Sequence, residues 1–213
     1  MQFTVETAEP ADAEEMADVH VRTWREAYAG LVDPAFLAGL RTEPRLRMWS
    51  TLLLRPDPER GSIVRVARSE DRGLIGFASL TLRPWPPSPP IEDPTSAGSL
   101  PPPAEPGNPD RAAGTDVANT DPGAELRTLY VIQDWWDRGV GRALLQSVLR
   151  EADTRGVRWV DLWVLEANTR ARRFYERAGF ALDGGWQSEE IATGVFLDEV
   201  RYRGDLENLP RRG

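Results

Sequence analysis

Two glycines separated by one residue carry the first recognisable chemistry in this chain of 213 residues. In Leu129-Tyr-Val-Ile-Gln-Asp-Trp-Trp-Asp-Arg-Gly-Val-Gly-Arg-Ala-Leu144 a strand pattern ends, a short loop follows, and Gly139 and Gly141 open an amphipathic helix. Glycines at such a junction let the backbone come close to a ligand. The first N–H groups of a helix lack intrahelical acceptors and sit at its positive dipole end, so they favour an anion. Arg138 and Arg142 add forked donors suited to phosphate. The stretch reads as a phosphate cradle, although a Gly-x-Gly also opens ordinary helices.

Several alternatives are excluded. The dinucleotide fingerprint needs a third glycine where this chain has Leu144, and the acid at suitable spacing, Asp161, falls near the start of its strand instead of the end. No Gly-Lys-Ser/Thr occurs, so there is no P-loop. The absence of cysteine removes thiolate nucleophiles and sulfur-bound metals, and a single histidine, His20, rules out a two-histidine metal site. No metal is expected. A formal net charge of -8 disfavours nucleic acid, whose phosphates need a cationic face. All 26 basic residues are arginine, which reads as coding bias.

A second constellation follows at Asn168-Thr-Arg-Ala-Arg-Arg-Phe-Tyr-Glu-Arg-Ala-Gly-Phe180. With the glycine turn, it resembles the GNAT superfamily of acyl-CoA-dependent N-acetyltransferases. The cofactor pattern Gln/Arg-x-x-Gly-x-Gly/Ala maps onto Trp136, Asp137, Arg138, Gly139, Val140 and Gly141, and the Asn-x-x-Ala-x-x-Phe-Tyr segment onto Asn168–Tyr175. Trp136 departs from the usual Gln or Arg, and Asp137 from a frequent glycine. The resemblance is strongest over 124–180.

The resemblance implies acetyl-CoA as donor and direct attack by an amine within a ternary complex. The backbone of Leu129, Tyr130 and Val131 would run beside the pantetheine arm, the turn Asp137–Arg142 would hold the pyrophosphate, and Asn168 would bind the cofactor's amide region. Asn168 also suits a helix N-cap. Tyr175 aligns with the proton donor to the departing thiolate, but it also belongs to a core stripe with Ala171, Phe174 and Ala178. Glu125 matches the general base of the histone-acetylating branch, and equally reads as a solvated strand-end carboxylate. Another branch carries a glutamate where this chain has Trp163. Trp24 and Tyr28 would wall the acceptor, and His20 would orient it or simply pack. A catalytically silent acyl-CoA sensor of the same fold is the alternative.

The elements that must position these residues follow from periodicity. A strand over 2–8 precedes helices from Ala11, over 34–40 and over 43–54; strands 62–68 and 73–83 form a hairpin. Residues 84–122 hold twelve of the eighteen prolines and almost no large apolar side chains, so they form an insertion without packed structure. Strand 125–132, helix 140–152, strand 158–165, helix 169–178 and strands 180–187 and 195–203 complete the order. The expectation is one α/β domain over 1–213 with a mixed sheet of about seven strands, flanking helices and a splayed parallel pair. No apolar run approaches the roughly 18 residues of a membrane span, and the start lacks a signal peptide's basic head and apolar stretch. A cytoplasmic enzyme acting on a small-molecule or protein amine is expected, without nucleic acid or membrane partners and with a homodimer left open.

Overall fold

The computed structural model describes residues 2–54, 61–83 and 122–209. The insertion expected over 84–122 lies, apart from its last residue, outside the described residues. Chain order is β1 (Thr4–Thr7), α1 (Ala13–Ala27), α2 (Pro34–Gly39), α3 (Thr42–Leu54), β2 (Ser62–Ser69), β3 (Gly73–Leu82), β4 (Gly123–Val131), α4 (Val140–Thr154), β5 (Trp159–Leu165), α5 (Thr169–Arg177), β6 (Ala181–Ala192) and β7 (Val195–Asp205).

Local chemistry explains most boundaries. Asp33 caps α2 by accepting from the N–H groups of Ala35 and Phe36, and Pro34 occupies the first turn, where its missing N–H costs nothing. Gly179 follows α5 with φ +94, the left-handed position that glycine adopts without a Cβ penalty. β6 runs five residues past its expected end. The Thr193-Gly194 turn, with Gly194 at φ +73, returns the chain tightly enough to pair Ala192 with Val195.

The seven strands of the described residues form one sheet in the order β1-β2-β3-β4-β5-β7-β6. Its middle is covered on both sides: residues from Leu74 to Leu80 of β3 are all buried, with α1 and α4 packed against the strand. Among the described residues no helix is long and apolar enough to cross a membrane.

Only β4 and β5 are parallel, and they pair over just three rungs, from Gly123 opposite Trp159 to Glu125 opposite Asp161. The closed end is held tightly, for a Cβ on Gly123 would collide with the Trp159 ring. The guanidinium groups of Arg83, at 5.2 Å, and Arg203, at 4.1 Å, both lie over that ring. Beyond Glu125 the two strands part, and β4 is paired to β3 alone.

Candidate functional site

The parting of β4 from β5 opens a cleft of about 1680 Å³. Leu129, Tyr130, Val131, Asp137, Gly139, Gly141, Arg142, Asn168 and Tyr175 all line it, as do Trp24 and Tyr28. Three predicted residues do not. The Val140 side chain is fully buried in the core, which leaves only its backbone for a ligand. Arg138 lies over the Trp135 ring at 5.5 Å. Glu125 is held by Arg127 at 2.8 Å and faces Arg83 at 3.8 Å.

The phosphate end is built by backbone. Gly139 is the N-cap of α4 at φ +84, and its carbonyl accepts from Ala143. Val140, Gly141 and Arg142 therefore present the first-turn N–H groups. Asp137 also takes a left-handed conformation, φ 58, unusual for a residue with a side chain. Its carboxylate meets Arg170 at 3.3 Å, and the Arg170 guanidinium stacks over Trp136 at 3.7 Å. Trp136 in turn donates its indole N–H to the Val131 carbonyl at 2.7 Å. The tryptophan that departs from the family pattern thus ties the turn to the edge of β4.

Asn168 is the N-cap of α5, its side chain accepting from Ala171 N–H at 3.0 Å. Tyr175, about two helical turns further on, is nearly buried beside Phe174 and Phe180. Burial, reinforced by the nearby Tyr130, pushes its phenol well above the ordinary tyrosine value.

The opposite end of the cleft is aromatic. Trp24 donates to the Tyr130 hydroxyl at 3.0 Å and meets Tyr28 edge-on, with ring centroids 4.9 Å apart. Burial raises the Tyr28 phenol as well, with added contributions from Tyr130, Tyr175 and Glu199. His20 is buried and accepts from the Trp49 indole at Nδ1, 3.3 Å away. Burial, helped by the charge of Arg45, pushes it down to about 3, so it is neutral at physiological pH.

Sequence reading missed Glu199. It lies on β7 opposite Leu165 of β5 and Gln187 of β6, lines the cleft, and accepts from the Gln187 amide at 2.8 Å. Burial raises its carboxyl above the ordinary glutamate range despite that hydrogen bond. No local motif marks it, because only the β5-β7-β6 pairing brings it to the cleft.

The sequence profile of the GNAT acetyltransferase family matches residues 16–180. The chain belongs to that family. A protein of Mycobacterium tuberculosis named a probable N-acetyltransferase is 24% identical over 199 residues, covering 93% of this chain and 91% of the relative. Two solved structures share the fold at 17% identity. PaiA N-acetyltransferase from Thermoplasma acidophilum, in complex with coenzyme A, has a TM-score of 0.61 and covers 96% of this chain and 99% of its own. Arabidopsis thaliana NAA60 in complex with acetyl-CoA has a TM-score of 0.63, covering 97% and 99%. As a GNAT protein the chain is an acyl-CoA-dependent acetyltransferase, and its splayed β4–β5 pair, Gly139 turn and Asn168–Tyr175 segment lie within the matched span.

Proposed function

We propose that this protein is an N-acetyltransferase in which an amine attacks acetyl-CoA directly, both substrates being bound at once, in the cytoplasm. The observation that carries this reading is the single cleft lined both by the Gly139–Arg142 turn and by Trp24, Tyr28 and Glu199. A chain without cysteine has no thiol to take the acetyl group in between.

Residue roles follow from chemistry. The donor, acetyl-CoA, would place its pyrophosphate on the backbone N–H groups from Val140 to Arg142, with Arg142 as a neighbouring cation. Its arm would run along Leu129, Tyr130 and Val131. Past Glu125 the edge of β4 that faces β5 is not paired to a strand among the described residues, so an N–H there can meet the thioester carbonyl and its oxyanion. An acceptor amine of ordinary pKa, about 10.4, must lose a proton first. Glu199 is the cleft carboxylate whose raised pKa suits that task better than Glu125, which two guanidinium groups neutralise. Tyr175 stays protonated at neutral pH and can donate to the departing thiolate.

The test is acetyl transfer over an amine panel, with initial-rate patterns that separate a ternary complex from a double-displacement reaction. Tyr175→Phe is expected to lower kcat by about 10²-fold or more while acetyl-CoA still binds. If acetyl-CoA binds, no amine is acetylated and the variant changes nothing, the protein is a sensor of the same fold. We assign the whole chain, 1–213, to one catalytic domain. Deleting residues 86–121 is expected to leave transfer intact.

A further inference from the structure

The acceptor end of the cleft holds a positive charge with no ion-pair partner among the described residues. Arg45, on α3, is half-buried, lines the cleft and makes no ion pair among the described residues. Its guanidinium lies over the Trp24 ring at 5.8 Å, on the acceptor side. Its charge adds to the burial that pushes His20 down, and it opposes the stronger burial that raises the Tyr130 phenol. Of the neighbouring arginines, Arg127 is engaged with Glu125, Arg170 with Asp137, and Arg25 with the carbonyls of Leu37 and Leu40, while Arg177, at the end of α5, lines the cleft but is exposed. Arg142 belongs to the phosphate end, so it serves the donor.

A second observation comes from the same wall. The Thr23 hydroxyl and His20 Nε2 are buried, have no hydrogen-bond partner among the described residues, and sit one helical turn apart on α1, on residues that line the cleft. His20 is neutral and accepts at Nδ1, so Nε2 carries its hydrogen. Unpaired buried donors are costly and uncommon. They add a polar, donor-rich lining to the wall that carries Arg45.

Across the cleft the charge is negative: Glu189, Glu190 and Glu199 line the β6–β7 side. Between the two poles stand Trp24 and Tyr28, with Phe36 beside Trp24. The Trp24 and Tyr28 rings therefore lead from Arg45 toward the Tyr175 and Glu199 end, where the amine would react.

We infer that the acceptor is a small amino acid-type molecule, its amine directed to Glu199 and Tyr175 and an oxyanion on the same molecule held by Arg45. This rests on the acetyl-transfer reading above. The reaction itself is unaltered: the amine nitrogen bonds the acetyl carbon, the carbon–sulfur bond breaks, and the amine's proton leaves through the carboxylate while the thiolate is protonated. What Arg45 adds is selection, because an amine without an anion would leave the guanidinium unpaired in the closed complex.

The experiment compares ω-amino acids from glycine to 6-aminohexanoate with the alkylamines of matching length, and phenylalanine with phenethylamine. A parallel arm, 3-aminopropylphosphonate beside 4-aminobutanoate, distinguishes a phosphonate from a carboxylate as the favoured oxyanion. At one or more lengths the anionic member is expected to exceed its partner in kcat/KM by about tenfold or more, the range of a charge-assisted hydrogen bond. Arg45→Met should collapse that ratio and Arg45→Lys should retain part of it, with acetyl-CoA affinity by calorimetry reporting a folded variant. Equal rates within every pair, or a preference that survives Arg45→Met, overturn the inference. If acetyl-CoA binds but no amine is acetylated, the transfer reading fails on its own. Calorimetry of the same pairs in the presence of CoA then decides the anion subsite: tighter binding of the anionic members, lost in Arg45→Met, supports it, and equal binding overturns it.

Discussion

Asp161 has no solvent exposure, and both of its carboxylate oxygens accept from one guanidinium nitrogen of Arg83, at 2.8 and 3.0 Å. Arg203 stands 4.0 Å away, and Glu125 is its register partner on β4. The pair closes the sheet at the last rung before β4 and β5 separate, so it anchors the hinge of the cleft. Burial nevertheless outweighs the arginines and pushes Asp161 up to about 6. The folded chain therefore holds this proton more tightly than the unfolded chain, whose aspartate sits near 3.9. Its contribution to stability is full below about pH 4 and is lost as pH rises through about 6. Asp161→Asn cannot titrate. The stability of the natural protein minus that of the variant is expected to fall between pH 4 and pH 6.5, measured by urea unfolding. A difference that stays flat over that window would remove the assignment.

Glu199, which lines the cleft, and Glu125, which does not, make opposite predictions. Glu199→Gln is expected to lower kcat/KM about 10²-fold near pH 7, and Glu125→Gln much less. A base must be ionised to act, so activity should fall on acidification with a limb above the ordinary glutamate value, reflecting the raised Glu199 carboxyl. His20, pushed down to about 3, cannot supply that limb. Rate profiles of both variants against pH decide between the carboxylates, and a larger loss in Glu125→Gln would return the role to it.

Gly139 and Gly141 should separate folding from binding. A Cβ on Gly139 meets nothing within 4 Å, but the residue sits at φ +84, so Gly139→Ala is expected to cost about 1–2 kcal/mol of stability through the backbone alone. A Cβ on Gly141 would touch only Phe174, at 3.6 Å, and Val131, at ordinary contact distances. Gly141→Ala should therefore fold at least as well as the natural chain, yet weaken acetyl-CoA where its backbone meets the pyrophosphate. Thermal unfolding and calorimetry, run on both variants, read the two effects apart.

Asn168 carries a cap that can be weighed on its own. Asn168→Ala removes the acceptor for Ala171 N–H and should cost about 1 kcal/mol, while Asn168→Asp should recover most of it. A fall in acetyl-CoA affinity in Asn168→Asp, at restored stability, would reveal a direct contact with the cofactor beyond the cap.

Much of this protein was legible as sequence because it is encoded locally. The Gly139 turn, the Asp33 and Asn168 caps, the alternating hairpin strands and the amphipathic face of α4 each depend on neighbours within a turn or a few rungs. Spacing alone therefore marked these elements, and the family resemblance they carry supplied the expected donor half of the site. The acceptor half is assembled from residues far apart in the chain. Glu199 reaches the cleft only because β7 inserts between β5 and β6. Arg45 reaches it only because α3 packs beside α1, bringing its guanidinium over Trp24. The same logic displaced Glu125: its place on β4 was readable, but the guanidinium groups of Arg83 and Arg127 that neutralise it became visible only in the folded chain. Charge balance in a cleft is a sum over groups brought together by tertiary contacts, and no window of sequence contains that sum.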